Sequence, residues 1–351
     1  MAVTVLIPSL NPDDKLVRVV EGLLAAGMED ILLVDDGSDE CHQSPFTRLS
    51  GLPQVTLLRH EVNRGKGRAL KTGFAYVLEH RPHSVGVVTV DGDGQHSTED
   101  VCRIAAAMER EQAVWLGCRD FSDRSVPLRS RFGNRASCLT MSLLCRVKVS
   151  DTQTGLRGIP RAYLPLLLEV AGERFEYETN MLLALPRHDL PYRELTIATI
   201  YIDDNAASHF RPLVDSWKIY RLMLGYFLRY TAASIASFVV DILLFKLFLY
   251  LFCGWEQTPR IVVATVLARV LSSLFNFTLN HRVVFRSSQR VRSTLWRYYL
   301  LCMCQMAASA VLVSGLSALL PWFPTLNKCV VDGLLFLVSF QIQQRLVFNK
   351  K

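Results

Sequence analysis

Short apolar runs alternate with longer segments of helical periodicity through residues 1–210. The short runs are Val3 to Ile7, Ile31 to Val34, Val55 to Leu58, Val87 to Val90 and Ala113 to Gly117. Helical patterns follow them, of which the first extends from about Asp13 to Ala26. Strands that alternate with helices at this spacing predict an α/β domain with a mostly parallel, doubly wound sheet.

The last third of the chain has a different pattern, in which the apolar runs are much longer. These runs are Tyr226 to Cys253, Ile261 to Val284, Tyr298 to Leu320 and Val330 to Val347. Each is near the ~20 residues that a helix needs to cross a bilayer, so residues 226–351 are predicted to form an all-α domain of four transmembrane helices. Between the two parts, residues 211–225 interleave apolar and charged positions. This pattern is typical of an interfacial amphipathic helix, and a core-packed helix fits it as well.

Charge divides the chain at the same place. Residues 1–225 have a net charge of −3, with 26 Lys and Arg against 29 Asp and Glu, whereas residues 226–351 have +10, with 13 against 3. The arginines of the second part cluster at helix ends, a placement that disfavours nucleic acid as a partner. By the positive-inside rule, it predicts that both termini and the α/β domain are cytoplasmic. Nine cysteines without zinc-ligand spacing predict free thiols.

Two of the predicted strands end in carboxylates. Asp91 and Asp93 follow the fourth strand, and Asp36 follows the second. In an α/β sheet, the carboxyl ends of the strands face a ligand crevice, and Mg²⁺ is usually held by one or two carboxylates plus substrate phosphates. The Asp91–Asp93 turn is therefore a candidate metal-diphosphate site, with an ordinary glycine-rich turn as the alternative. The second acidic strand end suits the base or ribose of a nucleotide.

Two loops of this part open helices. The loop from Asn63 to Arg68 contains two glycines and a lysine. Because glycine allows close backbone approach and a helix start supplies unpaired N–H groups, anion binding is predicted around Gly65 and Lys66, although one such loop is weak evidence. After the second strand, Ser38 and Asp39 are expected to cap the helix that follows.

Four motifs, taken in order, resemble the nucleotide-sugar motifs of family 2 glycosyltransferases. They are Ile7-Pro8-Ser9-Leu10-Asn11, Val34-Asp35-Asp36-Gly37-Ser38-Asp39, Asn63-Arg64-Gly65-Lys66-Gly67 and Asp91-Gly92-Asp93-Gly94-Gln95-His96. Later segments resemble the polyprenyl-phosphate branch of that family, which includes dolichol-phosphate mannose synthases. They are Gly117-Cys118-Arg119, the set Arg129, Arg131, Asn134 and Arg135, and Asp151-Thr152-Gln153-Thr154-Gly155-Leu156-Arg157.

This resemblance implies a Rossmann-like GT-A fold and a UDP- or GDP-sugar donor. It also implies a divalent metal, Mg²⁺ or Mn²⁺, held by Asp91, Asp93 and Gln95. Asp36 would contact the nucleotide base, and the backbone around Pro8 would line the same pocket. The donor-binding residues implied are Pro8, Asn11, Asp36, Gly65 and Lys66. The family often has an acidic residue directly after the Asn11 position; here Pro12 stands there, and Asp13 is a candidate substitute.

The acceptor side is rich in arginine. A hydroxyl acceptor needs a positioned carboxylate base, whereas a phosphate monoester loses its second proton near pH ~6 and needs cations instead. Guanidinium groups suit phosphate oxygens, and each could also be a solvated surface residue. The candidates are Arg119, Arg124, Arg129, Arg131 and Arg135. Asp151 could orient such an arginine, the role ranked first, or act as a base. Two explanations fit Glu176 and Glu178. They could act on the acceptor side of the site, or their negative charge could stabilise the start of a helix.

The membrane part contains an internal repeat. Phe277 to Phe285 aligns with Phe340 to Phe348 at an offset of 63 residues, which predicts two helical hairpins of the same orientation. These spans resemble the GtrA-like membrane family, which implies flipping or handling of polyprenyl-phosphate sugars. Asp241, Arg269 and Asp332 lie roughly 18 to 20 Å from the inner arginines at ~1.5 Å per residue. Because isolated charges are costly there, these three are predicted to form one cluster, as a structural clip or a head-group path.

Three function classes follow. The leading one is a membrane-bound inverting glycosyltransferase that moves a hexose from a nucleotide sugar to polyprenyl phosphate. A processive polysaccharide synthase is disfavoured because no Gln-x-x-Arg-Trp signature occurs. The third class is a translocation or scaffold protein with a vestigial transferase half, against which the intact Asp36, Asp91 and Asp93 argue. The two-part architecture resembles bacterial proteins, so a plasma (inner) membrane is expected, and homo-oligomerisation is left open.

Overall fold

The computed structural model describes residues 3–121, 126, 128–145, 147–198, 200, 212–285, 287, 289–319 and 324–348. The chain divides into two compact units, Met1–Arg221 and Leu222–Lys351. The first is α/β and the second is all-α, as the sequence predicts. All nine cysteines are free thiols, which confirms the expectation from their spacing.

A seven-stranded, mostly parallel sheet forms the centre of the first unit. Its strands are β1 (Val3–Ser9), β2 (Ile31–Asp35), β3 (Val55–Arg59), β4 (Gly86–Thr89), β5 (Val114–Arg119), β6 (Arg157–Pro160) and β7 (Tyr192–Ile197). They lie in the order β3-β2-β1-β4-β6-β5-β7, and β6 runs antiparallel to both of its neighbours. The predicted parallel sheet is confirmed, with one reversed strand that the sequence did not indicate.

Helices cover both faces of this sheet. They are α1 (Asp14–Ala25), α2 (Ser44–Leu49), α3 (Lys66–His80), α4 (Thr98–Arg110), α5 (Leu128–Thr140), α6 (Leu164–Glu169) and α7 (Glu176–Arg187). Successive side chains of β1 enter different cores, since Val5 packs with Leu16 of α1 in one, and Leu6 packs with Phe74 of α3 in the other. A strand buried on both faces has a continuous apolar sequence, which is the pattern of Val3 to Ile7.

Four long helices form the second unit. They are α8 (Pro212–Leu251), α9 (Gln257–Leu279), α10 (Val291–Leu319) and α11 (Pro324–Ile342). All four are long and apolar enough to span a membrane, so this is a multi-pass membrane protein. Residues 212–225 of the predicted juxtamembrane segment continue into the first span as one helix, and Arg211 lies outside the described residues. Whether that stretch lies in the membrane interface stays a prediction.

The predicted repeat is visible as a repeated backbone feature. Helices α9 and α11 each pass into a π-helical turn, at Asn280–Val284 and Gln343–Val347. The two turns are 63 residues apart, which is the offset of the sequence repeat. The ends of α9 and α11 are therefore equivalent in backbone as well as in sequence.

The two hairpins are joined crosswise near these turns. The Tyr230 hydroxyl on α8 accepts a hydrogen bond from Gln343 Nε2 at 3.1 Å, just beyond α11. The Tyr298 hydroxyl on α10 donates to Asn276 Oδ1 on α9 at 3.2 Å. The tyrosine on the first helix of each hairpin thus contacts the second helix of the other.

The prediction of one cluster formed by Asp241, Arg269 and Asp332 is wrong. Asp241 lies 3.6 Å from Arg269 and accepts a hydrogen bond from Ser272 Oγ at 2.7 Å, all within the first hairpin. Asp332 instead contacts Lys328 Nζ at 2.9 Å and Ser309 Oγ at 2.6 Å, within the second. Because Lys328 lies one helical turn from Asp332, that carboxylate is neutralised locally and does not need Arg269.

Candidate active site

The carboxyl edge of the sheet collects the residues that the motifs singled out. Strands β2, β1 and β4 are parallel neighbours, with Ser9 of β1 opposite Asp35 of β2 and Leu6 of β1 opposite Thr89 of β4. The loops that begin at Ser9, at Asp36 and at Val90 therefore leave the sheet on the same side. Pro8 lies within β1, at the end of this edge, and Asn11 lies in the loop directly after it.

Asp91 lies at the centre of the site. Its Oδ1 is 2.7 Å from Lys66 Nζ, and its Oδ2 is 3.6 Å from Nε2 of the buried His96. Burial alone would raise the pKa of this carboxyl, but the Lys66 ammonium and His96 outweigh burial and hold the pKa of Asp91 well below its usual range. Asp91 is therefore ionised at neutral pH.

Lys66 joins Asp91 to a second carboxylate, on α7. Its Nζ also lies 3.1 Å from Glu178 Oε1 of α7. Burial would lower the pKa of this ammonium, but the two carboxylates raise its pKa above the ordinary lysine value. A permanently charged lysine at the start of α3 fits the binding of an anion such as a diphosphate.

Gly65 shapes the loop that presents Lys66. Its φ is +102°, and a Cβ there would lie 2.4 Å from the Glu173 carbonyl oxygen, so only glycine fits. The Gly65 N–H donates to Asp36 Oδ2 at 2.7 Å. The predicted anion loop is thus fixed in place by the acidic end of β2.

Asp36 is buried and accepts hydrogen bonds from several groups in and around this loop. Besides Gly65, its carboxylate accepts hydrogen bonds from the Arg64 N–H at 3.0 Å and from His60 Nδ1 at 2.7 Å, while Thr72 Oγ1 lies 2.9 Å from His60 Nε2. The sequence reasoning missed His60, because no motif contains it. The contacts of Asp36 lie within the protein, and its predicted contact with a nucleotide base stays a prediction.

Asn11 joins the loops after β1 and β2. It has a left-handed backbone, with φ of +50°, and its N–H donates to Ser38 Oγ at 2.8 Å. Its side-chain amide exchanges two hydrogen bonds with Asp39, at 2.8 and 3.1 Å. Asp39 is the N-cap residue of the short 3-10 helix Glu40–His42, as expected, but it makes no side-chain capping hydrogen bond. The side chains of Ser38 and Asp39 contact Asn11 instead. Asp13 is the N-cap of α1 and accepts from the Lys15 N–H.

Arg119, at the end of β5, is held by a buried carboxylate. Asp151 accepts from Arg119 Nε at 2.7 Å and from Nη2 at 3.2 Å, and it is completely buried. The Gln153 N–H also donates to Asp151, at 2.9 Å. This is the orienting arrangement ranked first for Asp151. A carboxylate engaged in this way is poorly placed to act as a base.

Of the other predicted arginines, two have side chains that the structure describes. Arg131 on α5 donates to the Val126 carbonyl at 3.5 Å, and Arg135 on the same helix is exposed. Arg124 and the side chain of Arg129 lie outside the described residues. Their predicted contacts with an acceptor stay predictions.

The structure shows different contacts for Glu176 and Glu178. Glu176 accepts hydrogen bonds from two backbone N–H groups just before α7, which is the helix-start role. Glu178 contacts Lys66 in the site, and its backbone carbonyl accepts from Arg157 Nη1 at 2.8 Å. Arg157 is fully buried, and burial lowers its pKa. Its role was missed although the motif that contains it was recognised.

The Asp91–Asp93 turn has ligands suited to a divalent cation. Asp93 accepts from the Gln95 N–H at 3.0 Å, which keeps this turn compact. Beside this turn, neither ring nitrogen of His96 has a hydrogen-bond partner among the residues that the structure describes. Among the described residues no three His, Cys, Asp or Glu side chains converge on one point. Two carboxylates with the Gln95 amide leave positions for water and substrate phosphate, which fits Mg²⁺ or Mn²⁺.

Together these features define a class of protein. A mostly parallel α/β sheet, with an Asp-Gly-Asp turn and a glycine-lysine loop at its carboxyl edge, is the GT-A glycosyltransferase arrangement. Residues 4–165 match the sequence model of Glycosyl transferase family 2, and residues 229–348 match that of the GtrA/DPMS transmembrane domain. The first unit is thus a family 2 glycosyltransferase domain, and the second is a GtrA/DPMS transmembrane domain.

Individual relatives are distant. An uncharacterised protein of Methanocaldococcus jannaschii is 29% identical over 204 residues, which is 57% of this chain and 82% of that protein. A UDP-N-acetylglucosamine–dolichyl-phosphate N-acetylglucosaminyltransferase of Methanococcus voltae is 26% identical over 237 residues, 62% of this chain and 94% of that enzyme. The crystal structure of a mycobacterial protein superposes with a TM-score of 0.43 at 16% identity, over 67% of this chain and 74% of that one.

Proposed function

We propose that this protein transfers a sugar from a UDP- or GDP-sugar to polyprenyl phosphate, with inversion at the anomeric carbon. The observation that carries the proposal is the pairing of Arg119 with the buried Asp151. It supplies an oriented guanidinium, and it occupies the carboxylate that a hydroxyl acceptor would need as a base. A phosphate acceptor is already ionised and needs the cation alone.

In this scheme, different residues bind the donor and the acceptor. On the donor side, Lys66 binds the diphosphate, and Asp91 and Asp93 with Gln95 hold a divalent cation. That cation, when bound, offsets negative charge on the departing nucleotide diphosphate. On the acceptor side, Arg119 holds the lipid phosphate, with Arg131 as a second cation.

Bond changes in this scheme need no proton transfer from the protein. An acceptor phosphate oxygen forms a bond to the anomeric carbon as the bond from that carbon to the diphosphate oxygen breaks. The electron pair of the broken bond leaves with the nucleotide diphosphate. Attack in line with the leaving group inverts the configuration and gives a polyprenyl-phosphate sugar.

The named relative supports the class of acceptor and adds a candidate donor. The enzyme of Methanococcus voltae is called a dolichyl-phosphate transferase that uses UDP-N-acetylglucosamine. We therefore include an N-acetylhexosamine among the sugars to test, beside the hexoses. The membrane unit would hold the enzyme beside its lipid acceptor, with the transferase unit and both termini on the cytoplasmic side of a plasma membrane.

One assay tests the proposal against its alternatives. Membranes that contain the protein are incubated with labelled UDP- and GDP-sugars and polyprenyl phosphate, with and without EDTA. We expect a labelled lipid that mild acid cleaves, and its formation should stop with EDTA. Label in polymer alone would indicate a processive synthase instead. No incorporation from any donor would favour the translocation or scaffold class with a vestigial transferase half.

A further inference from the structure

His60 directly follows β3 and is bonded to two other elements of the first unit. Its backbone N–H donates to the Asp35 carbonyl at 2.9 Å, which extends the pairing of β3 with β2 by one residue. Its side chain is buried, with Nδ1 2.7 Å from Asp36 Oδ1 and Nε2 2.9 Å from Thr72 Oγ1 on α3. One imidazole ring thus joins the end of β2 to α3.

The partners of the ring fix its tautomer and its orientation. Asp36 Oδ1 also accepts from the Arg64 N–H at 3.0 Å, so the proton of the contact with His60 belongs to Nδ1. In a neutral imidazole with the proton on Nδ1, Nε2 is an acceptor, and the Thr72 hydroxyl donates to it. Rotation of the ring would break both hydrogen bonds, so the side chain is held in one position.

The carboxylate that His60 holds is the one that fixes the loop before α3. Asp36 accepts from the Arg64 N–H and, at 2.7 Å, from the Gly65 N–H. These two backbone donors directly precede Lys66, the first residue of α3. His60 therefore acts on the position of the Lys66 ammonium in two ways, through the carboxylate that binds the loop and through its own bond to the helix.

We propose that His60 is a positioning residue for the diphosphate of the donor, which it serves by holding Asp36 and, through Asp36, the loop that presents Lys66. This deepens the proposed function and rests on it in one respect, that Lys66 binds a diphosphate. His60 acts through these residues and not by touching the donor. A loop that is already held in its binding conformation does not have to be ordered by the ligand, so the ligand binds more tightly.

Two substitutions at one position separate this role from packing. In His60→Asn the side-chain amide can place an N–H where Nδ1–H was, whereas in His60→Gln the amide reaches the place of Nε2 and the bond to Asp36 is lost. The full chain in detergent is titrated calorimetrically with inorganic pyrophosphate, UDP or GDP in the presence of Mn²⁺. His60→Gln should bind pyrophosphate about tenfold more weakly than the wild type, and His60→Asn within about threefold of it. The control is His80→Gln, the same change at an exposed position at the end of α3.

The three probes distinguish the diphosphate from the base. A folded His60→Gln variant that binds pyrophosphate as tightly as the wild type would overturn the proposal. Weaker binding of UDP and GDP alone would also overturn it, because His60 would then serve the base. Should His60→Gln not fold, Thr72→Val and Thr72→Ser replace it. Valine, which lacks the hydroxyl, should weaken pyrophosphate binding about threefold and serine should not, and equal affinity of these two variants would reject the role of His60.

Binding and transfer fail separately in these measurements. Where transfer occurs, His60→Gln should raise KM for the nucleotide sugar and leave KM for polyprenyl phosphate unchanged, and equal increases in both would reject the positioning role. Weaker pyrophosphate binding by His60→Gln in a protein that transfers no sugar would support the role of His60 while rejecting the proposed transfer. A wild-type protein that binds none of the three probes would overturn both.

Discussion

At the scale of single residues, Lys66 balances negative charge in the site. Its ammonium separates two carboxylates that would otherwise repel each other, those of Asp91 and Glu178. Because the site is largely buried, that repulsion would be little screened by water. The same ammonium is the cation proposed to bind the diphosphate.

Replacement of Lys66 with methionine should lower kcat/KM by roughly a hundredfold or more, as expected when a cation at a reacting phosphate is removed. The matched control is Arg68→Met. Arg68 is on the same helix and forms an ion pair with Glu173, away from Asp91. Steady-state kinetics with the nucleotide sugar would measure both variants. A Lys66 variant as active as the Arg68 variant would contradict the role given to Lys66.

The pKa of Asp93 leads to a prediction of how metal binding depends on pH. Burial, together with the charge of Asp91, raises the pKa of Asp93 above the ordinary aspartate value. A cation binds the ionised form, so metal affinity is full above the raised pKa and falls as the pH drops through it. The decline should therefore begin at a higher pH than an ordinary aspartate, near pH ~4, would give. Titration of Mn²⁺ at several pH values measures this, and constant affinity down to that pH would refute it.

At the scale of elements, the segment that leads into the antiparallel strand β6 shapes the site around Asp91. The segment leading into β6 passes beside Asp91, where the Gly155 carbonyl accepts from Thr89 Oγ1 at 2.7 Å. A Cβ at Gly155 would lie 2.2 Å from Asp91 Oδ2. The close approach of this backbone to the carboxylate thus requires glycine.

Gly155→Ala should therefore abolish most transfer activity while the domain still folds, because the Asp91 side chain must move away from the added methyl group. Gly133→Ala is the control, since it lies on α5 with nothing within 4 Å of the added carbon. Alanine favours the helix there and should raise the unfolding temperature slightly. Activity and thermal unfolding would be measured for both. Full activity of the Gly155 variant would show that Asp91 tolerates the shift.

Elements with regular patterns were predictable from the sequence, and those defined by tertiary contacts were not. The five apolar strands and the four spans follow from periodicity and length. Strand β6 has four residues, begins with the buried Arg157 and contains a glycine, so it lacks an apolar run. His60 and Glu178 contact site residues across 24 and 112 positions of sequence, distances over which no local motif operates. Likewise, the number of residues between Asp332 and its inner arginine gives its position along the helix, but it could not show that Lys328 would neutralise the carboxylate.

At the scale of the whole molecule, the membrane unit is built from two matching hairpins. Tyr230 and Tyr298 occupy equivalent positions, and each hydroxyl donates to the second helix of the other hairpin. Tyr230 donates to Ser339 at 3.4 Å and Tyr298 to Asn276 at 3.2 Å, and these two partners are 63 residues apart. Tyr230→Phe and Tyr298→Phe should therefore destabilise the unit by similar amounts, about 0.5–1.5 kcal/mol each. Thermal unfolding of the purified protein in detergent tests this; a large loss from one variant alone would show that the halves are not equivalent.

The crosswise tyrosines also bear on the origin of this unit. Two separate polypeptides with one hairpin each would form the same pair of contacts about a two-fold axis, each reaching into the other. A duplicated and fused ancestor would retain that symmetry where it holds the halves together and lose it elsewhere. Arg269 in one half and Asp332 in the other occupy equivalent positions but carry opposite charges, so the symmetry does not extend to them. A joined chain is free to differ in this way between its two halves.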